Sequence, residues 1–256
     1  MNSVISYNIY APSLVILTMK NLNQHFLSFI FPIVCSSCGA DLPPLSQTRI
    51  CAKCRESLPK IQGLVCQKCG LPLPDGGEFC FVCRKNPKEY SFDKMRSVYS
   101  YKDNIRKLIL NFKYFDRTYL SKDFVPSMVE IFKSEPAFKN IDIIISVPLN
   151  IFRRLKRGYN QAQILAEGIS QAIGKPQNSH ILYRKKMTKA QFKLTKQERR
   201  ENIKDSFYAK NSSIIKNKTI LLIDDIATTG ATASACAKTL KKAGAKKVFV
   251  LTLARD

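Results

Sequence analysis

Residues 220 to 232 read Ile-Leu-Leu-Ile-Asp-Asp-Ile-Ala-Thr-Thr-Gly-Ala-Thr (ILLIDDIATTGAT), and the order of chemistries along this stretch sets the fold. With the residues before it, KTILLIDD (218–225) is built on the aliphatic run Ile220, Leu221, Leu222 and Ile223, which predicts a strand covered on both faces, as in a parallel sheet. A small-residue loop follows, then a helix over 232–243 ended by Gly244, then a second apolar strand, KKVFVLTL (246–253). Strand, helix, strand at this spacing is a βαβ unit in an α/β fold. Working outward, IDIIISVP (141–148) predicts another buried strand closed by Pro148. Ala162, Leu165, Ala166, Ile169 and Ile173 recur at helical spacing up to Gly174. Ile105, Leu108, Ile109 and Phe112, with Lys102, Arg106, Lys107 and Lys113 on the other side, predict an amphipathic helix over 103–114. Pockets in such sheets open at the carboxyl ends of the strands.

The quoted stretch lies at such an end. The backbone N–H groups of Thr228, Thr229, Gly230 and Ala231 at a helix start offer donors and positive potential to a phosphate. Gly230 permits close approach, and Thr228, Thr229 and Thr232 add hydroxyls. Asp224 and Asp225 disfavour a bare anion and suit a sugar diol and a hydrated magnesium ion. An ordinary strand end before a capped helix would leave two adjacent carboxylates repelling each other, a repulsion that a ligand or metal relieves.

Eight of the nine cysteines form four Cys-x-x-Cys knuckles: Cys35/Cys38, Cys51/Cys54, Cys66/Cys69 and Cys80/Cys83. The gaps of 12 and 10 residues within successive pairs of knuckles have the spacing of four-cysteine zinc sites. The simplest partition gives Cys35, Cys38, Cys51 and Cys54 one zinc, and Cys66, Cys69, Cys80 and Cys83 a second; a cross-braced pairing of first and third knuckles is the alternative. Gly39 and Gly70, each after a knuckle, fit turns that need a positive φ. A disulfide framework would need an oxidising compartment and a secretory signal. Residues 4–19 carry Asn8 and Pro12, lack a basic leading region, and are too short to span a membrane, so neither signal nor anchor is expected; Met19 is an alternative start. The expected location is cytoplasmic. Cys236 recurs with Leu240 and Ala243 and reads as core, and His25 and His180 have no partners at metal spacing.

With 45% hydrophobic and 24% charged residues, the 256-residue chain has a globular composition, not a disordered, collagenous or coiled-coil one. Its formal charge of +23 favours anionic partners. About half of that excess falls in residues 150–204, which hold 14 Lys+Arg against Glu167, Glu198 and Glu201. Filled zinc sites, with eight thiolates and two dications, lower the total to +19 and take the cysteine module from +3 to −1. The positive charge therefore belongs to the C-terminal part, as a solvated surface or as contacts to pyrophosphate and nucleic-acid backbone. Tyr101, Phe112, Tyr114, Phe115 and Tyr159 are expected in the core or at hinges, with stacking on single-stranded bases as the alternative.

LIDDIATTGAT (222–232) resembles the ligand motif of type I phosphoribosyltransferases. SVPLNIFRRLKRGYNQAQILA (146–166), YKDNIRKLILNFKY (101–114), and Gln191 followed by KLTKQERRENIKDSF (193–207), all behind the knuckles, resemble the ComF family of competence-associated phosphoribosyltransferase-like proteins over about residues 30–256. The resemblance implies a parallel-sheet type I phosphoribosyltransferase-like domain (91–256) preceded by a double zinc-ribbon module (31–90) and an extension (1–30). It implies phosphoribosyl pyrophosphate with Mg2+ as ligand, Asp224 and Asp225 on the ribose hydroxyls, and Ala227, Thr228, Thr229, Gly230, Ala231 and Thr232 on the 5′-phosphate. Arg153, Arg154 and Arg157, in the loop after Pro148, would meet the pyrophosphate or another anion. Residues 185–205 would be the mobile loop that closes over the site, with Lys189, Lys193, Arg199 and Arg200 as candidate groups; Asp224, Asp225, Lys189 and Arg199 are the catalytic candidates. Two roles follow: a DNA-uptake factor partnered by single-stranded DNA and a competence helicase, or a working salvage or biosynthetic phosphoribosyltransferase with a merely structural zinc module.

Overall fold

The structure, a computed structural model, describes residues 32–44, 46–115, 117–185 and 206–256. Its centre is β5 (Thr219–Ala227), whose aliphatic residues are buried on both faces. β5 pairs in parallel with β6 (Lys247–Arg255) on one side and with β2 (Ile143–Ser146) on the other. β1 (Lys94–Ser100) pairs in parallel with β6 and closes the order β1-β6-β5-β2. The sheet is all parallel, as the sequence predicts. β1 escapes a reading of hydrophobic pattern because Arg96 and Ser97 interrupt its apolar run, and the buried Ser97 hydroxyl is satisfied by Thr252 at 2.6 Å.

Alternate residues of β5 face opposite layers. Leu221 and Ile223 pack with α3 (Asp103–Tyr114), α4 (Ser121–Ser134) and α6 (Gln161–Ile173). Ile220 and Leu222 pack with α7 (Ala231–Lys242) and with the antiparallel pair β3 (Leu182–Arg184) and β4 (Phe207–Ala209). Gly174 ends α6 in the left-handed region at φ 65°, and Gly244 follows α7 at φ 100°, the stops that the sequence sets.

The cysteines are built into these layers. Cys35 and Cys54, with Ile50 and Leu58, belong to the core on the α3–α4–α6 face. Cys66, Cys69, Cys80 and Cys83 belong to the core on the α7 face. The intervening residues cross the edge of the sheet: Ser100 N–H donates to Pro59 C=O and Ile61 N–H to Val98 C=O, each at 2.9 Å, beside an antiparallel Lys60–Tyr99 bridge. This clasp occupies the edge of β1 that would otherwise stand unpaired. Short helices α1 (Ala52–Glu56) and α2 (Phe81–Lys85) start inside the second knuckle of each pair, with Cys51 and Cys80 at their N-caps.

Polar ties fix each cysteine unit to its face. The buried Asp123 carboxylate of α4 accepts from Arg49 N–H at 2.9 Å and from the Arg55 guanidinium at 3.2 Å. Lys107 and Asn111 of α3 donate to the carbonyls of Ser37 and Ser36. On the other face, Met95 N–H donates to Lys68 C=O at 2.9 Å, and the Arg96 guanidinium reaches Cys66 C=O at 3.3 Å.

Gly39 and Gly70 both hold positive φ, 80° and 69°. Only Gly70 is also pressed against the sheet: a Cβ there would lie 2.6 Å from the Met95 carbonyl oxygen, whereas one at Gly39 meets nothing within 4 Å. Gly39→Ala should therefore cost about 1–2 kcal/mol of backbone strain. Gly70→Ala should cost that plus about 1–3 kcal/mol of overpacking. Urea unfolding of the zinc-loaded variants checks the order, and equal midpoints would contradict the docking at Gly70.

Candidate ligand site and zinc centres

The ligand atoms of Cys35, Cys38, Cys51 and Cys54 lie within 4.8 Å of one another, as do those of Cys66, Cys69, Cys80 and Cys83. The sequential partition of the knuckles is the one observed. A tetrahedral zinc with bonds of about 2.3 Å separates its sulfurs by about 3.8 Å. Cys38 and Cys51 Sγ are 3.9 Å apart, and Cys69 and Cys80 Sγ 3.7 Å, so both clusters fit zinc. At Cys35 burial raises the thiol pKa, but backbone N–H groups of Cys38, Cys51 and Ser37 outweigh it and bring the value to about 6. At Cys66 burial is likewise outweighed, by N–H groups of Cys69, Cys80 and Lys68, to about 7. The partners go the other way: burial pushes Cys54 to about 12 and Cys69 to about 11. Each cluster thus pairs a thiol that ionises readily with one that burial holds protonated until a cation arrives.

Asp224 and Asp225 stand at the end of β5, where the chain leaves the sheet for α7. Asp225 N–H donates to Asp224 Oδ1 at 2.8 Å, and Lys113 of α3 pairs with Asp225 Oδ2 at 3.0 Å. Burial, then the charge of Asp225, raise the Asp224 pKa to about 7 against the opposing Asp225 N–H, Lys113 and Arg184. Gly230 caps α7 at φ 74° and offers no side-chain acceptor, and the Thr229 hydroxyl accepts from Ala231 N–H at 3.4 Å. Thr228 and Thr229 are exposed, while Ala227 and Gly230 are buried. Tyr90 holds the loop from behind: its hydroxyl donates to Thr229 C=O at 3.1 Å, and its ring would lie 3.1 Å from a Cβ at Gly230.

Residues 151–157 form a helix, α5 (Ile151–Arg157), and not the expected loop. The Asn150 side chain accepts from Phe152 N–H at its start and Gly158, at φ 79°, ends it. No residue of α5 is buried. Arg153 and Arg154 are exposed, but Arg157 is engaged: it donates to Tyr114 Oη at 2.8 Å and to Gln161 Oε1 at 3.2 Å, with its guanidinium 4.5 Å from the Tyr114 ring centroid. Phe112 is buried as expected, whereas Tyr114 and Phe115 are mostly exposed, which corrects their reading as core.

Lys189, Lys193, Arg199 and Arg200 lie outside the described residues. At the root of that segment stands Arg184, whose pKa is lowered by burial and then by Arg153, and raised by Cys236 and Asp224. Arg184 and Lys113 join the candidate site although the sequence reading did not assign them: Lys113 reads there as the polar side of an amphipathic helix, and Arg184 sits in no motif. Cys236 is fully buried in α7, and burial pushes its thiol well up, in keeping with a core role.

This combination defines a protein with a phosphoribosyltransferase-type fold and a two-centre cysteine module docked on its sheet. The chain matches the double zinc ribbon domain over residues 26–84 and the phosphoribosyl transferase domain over residues 134–256. It is 30% identical to Competence protein F of Haemophilus influenzae, over 88% of this chain and 98% of that protein. It is 30% identical to Competence protein ComFC of Bacillus subtilis, over 81% and 85%. It is 26% identical to the DNA utilization protein YhgH of Salmonella typhimurium, over 88% and 97%. The chain belongs to the ComF family of competence proteins.

The raised Asp224 pKa has a consequence for the ligand-free protein. Between the ordinary value of 3.8 and about 7 the folded state keeps a proton that the unfolded chain has lost. That contribution to stability is full below about pH 4 and disappears as pH rises through about 7. Asp224→Asn should therefore raise the thermal midpoint more at pH 8 than at pH 6. An equal difference at both would contradict the burial of this carboxyl.

Proposed function

We propose that the protein binds phosphoribosyl pyrophosphate with Mg2+ at the carboxyl end of β5 and acts in DNA uptake during natural transformation, in the cytoplasm. One observation carries the ligand reading: two adjacent carboxylates at a strand end, followed by a short loop and a helix start whose cap is a glycine without a side-chain acceptor. Ala227 to Thr232 would take the 5′-phosphate, with Thr228 and Thr229 exposed to receive it. Asp224 and Asp225 would take the ribose hydroxyls, with the magnesium ion arriving on the pyrophosphate. Lys113 holds Asp225 in place for this contact. Arg153 and Arg184, close enough to depress the Arg184 pKa, would meet the pyrophosphate. In a turnover step, pyrophosphate would leave the anomeric carbon as a nucleophile attacks, and these groups would act by positioning and charge stabilisation.

The uptake role is supported by the competence and DNA-utilization names of the relatives and by the exposed helix α5, where Arg153, Arg154 and Lys156 alternate with exposed Phe152 and Leu155. Cations interleaved with apolar side chains suit a single-stranded nucleic acid, whose backbone and bases need both.

Asp224→Asn with Asp225→Asn should leave zinc content unchanged and abolish the thermal stabilisation given by phosphoribosyl pyrophosphate with Mg2+; an unchanged shift would refute the site. Pyrophosphate release across a panel of bases and amines addresses turnover, and robust release with one acceptor would replace the uptake reading by that of a working phosphoribosyltransferase. In a gel-shift salt series with single-stranded DNA, Arg154→Ala with Lys156→Ala should lower the salt slope by about 1.4. A flat salt response of the unmodified protein would exclude backbone contact.

A further inference from the structure

A cleft of about 710 Å3 has Thr228, Thr229 and Ala231 of the phosphate loop in its wall. Its other walls come from three places: the second cysteine unit, the segment joining that unit to β1, and the first turns of α7 with the end of β6. The walls are tied together. Tyr90 donates to Thr229 C=O, and Ser91 N–H donates to Ser234 Oγ at 2.9 Å. The cleft therefore exists only because the second cysteine unit is docked on α7.

Arg255, the last residue of β6, lines this cleft and is 5% exposed. Its Nε has no hydrogen-bond partner among the described residues, and Nη1 has only the Met95 sulfur at 3.8 Å. A buried guanidinium without an oxygen partner carries a large desolvation cost that an anion removes. The Cys69 thiolate is close enough to feel its charge, but no contact joins them. Lys88 and Lys238 also line the cleft, against Glu89 and Asp256, while Leu71, Val82 and Tyr90 give it apolar wall. A space of this size, mostly apolar with a few charged groups, suits an organic ligand of nucleotide size.

We infer that this cleft is a second ligand site, which takes an organic anion with a phosphate or carboxylate group on Arg255 and its uncharged body against Leu71, Val82 and Tyr90. It shares Thr228, Thr229 and Ala231 with the phosphate loop but neither carboxylate of the Asp224–Asp225 pair, and does not depend on the ligand proposed there. Through Tyr90 and Ser91 it touches the phosphate loop, so occupancy of the cleft stiffens that loop.

Calorimetric titration of the zinc-loaded full chain with inorganic phosphate, adenosine 5′-monophosphate and benzoate tests the inference and separates phosphate from carboxylate chemistry. At least one of the organic probes should bind, and more tightly than inorganic phosphate. Arg255→Met should weaken that binding by about tenfold or more. Asp224→Asn with Asp225→Asn should leave it within about twofold, a change too small to count as a lost contact. Absence of binding by all three probes at millimolar concentration would overturn the inference. So would unchanged binding in Arg255→Met, or loss of one zinc per chain in that variant, which would make Arg255 the counter-charge of the cysteine cluster. If Arg255→Met fails to fold, Lys238→Glu, at an exposed position on the rim, should weaken the same binding several-fold, and no effect there would overturn the inference equally.

Discussion

Four cysteine sulfurs within 4.8 Å of one another, at least half of them buried, cannot all be thiolates unless a dication neutralises them. This constraint appears twice, once on each face of one parallel sheet. Each cluster brings few aliphatic side chains of its own, so its surroundings are the sheet and helices of the other domain: Ile50 and Leu58 close over the α3–α4 side, and Phe92 over the α7 side. Structural zinc is worth on the order of 10–16 kcal/mol per site in finger peptides. Here that energy is coupled to the whole sheet, because the residues between the two clusters run along the edge of β1. The zinc module is less an appendage than a pair of outer layers.

The consequence reaches the ligand site through Tyr90. It stacks on Phe92 at 4.9 Å between ring centroids, and Phe92 packs in the core with the second cluster. Its other contacts are Thr229 and the bare Cα of Gly230. A phosphate loop needs its N–H groups held in place before the anion arrives. In the proposed site a ring packed on the core of the second cysteine cluster would do part of that holding. The positive charge is placed to match: α5 carries its cations in the open, while Lys113 and Arg184 are partly buried beside the carboxylates.

Much of this was legible in the sequence, for identifiable reasons. The β5–loop–α7 stretch declares itself because strand, carboxylates, glycine and helix are contiguous. The cysteine pairs declare themselves because coordination needs fixed spacing. β1 did not, since half its residues are polar and are satisfied across the sheet by partners such as Thr252 and Glu135. α5 did not, since it buries no apolar face, although its caps Asn150 and Gly158 were there to be read. Lys113, Arg184 and Arg255 become notable only when distant segments meet: a lone basic residue in a +23 chain looks like surface charge.

The central claim is that the metal centres and the sheet bearing the ligand site are one cooperative unit. Hydrogen exchange measured before and after zinc removal by a chelator tests it most directly. The account predicts that amides of β5, β6 and the 228–231 loop lose their protection together with those of the cysteine knuckles. Full retention of protection in β5 and β6 after both zinc ions have left would contradict it.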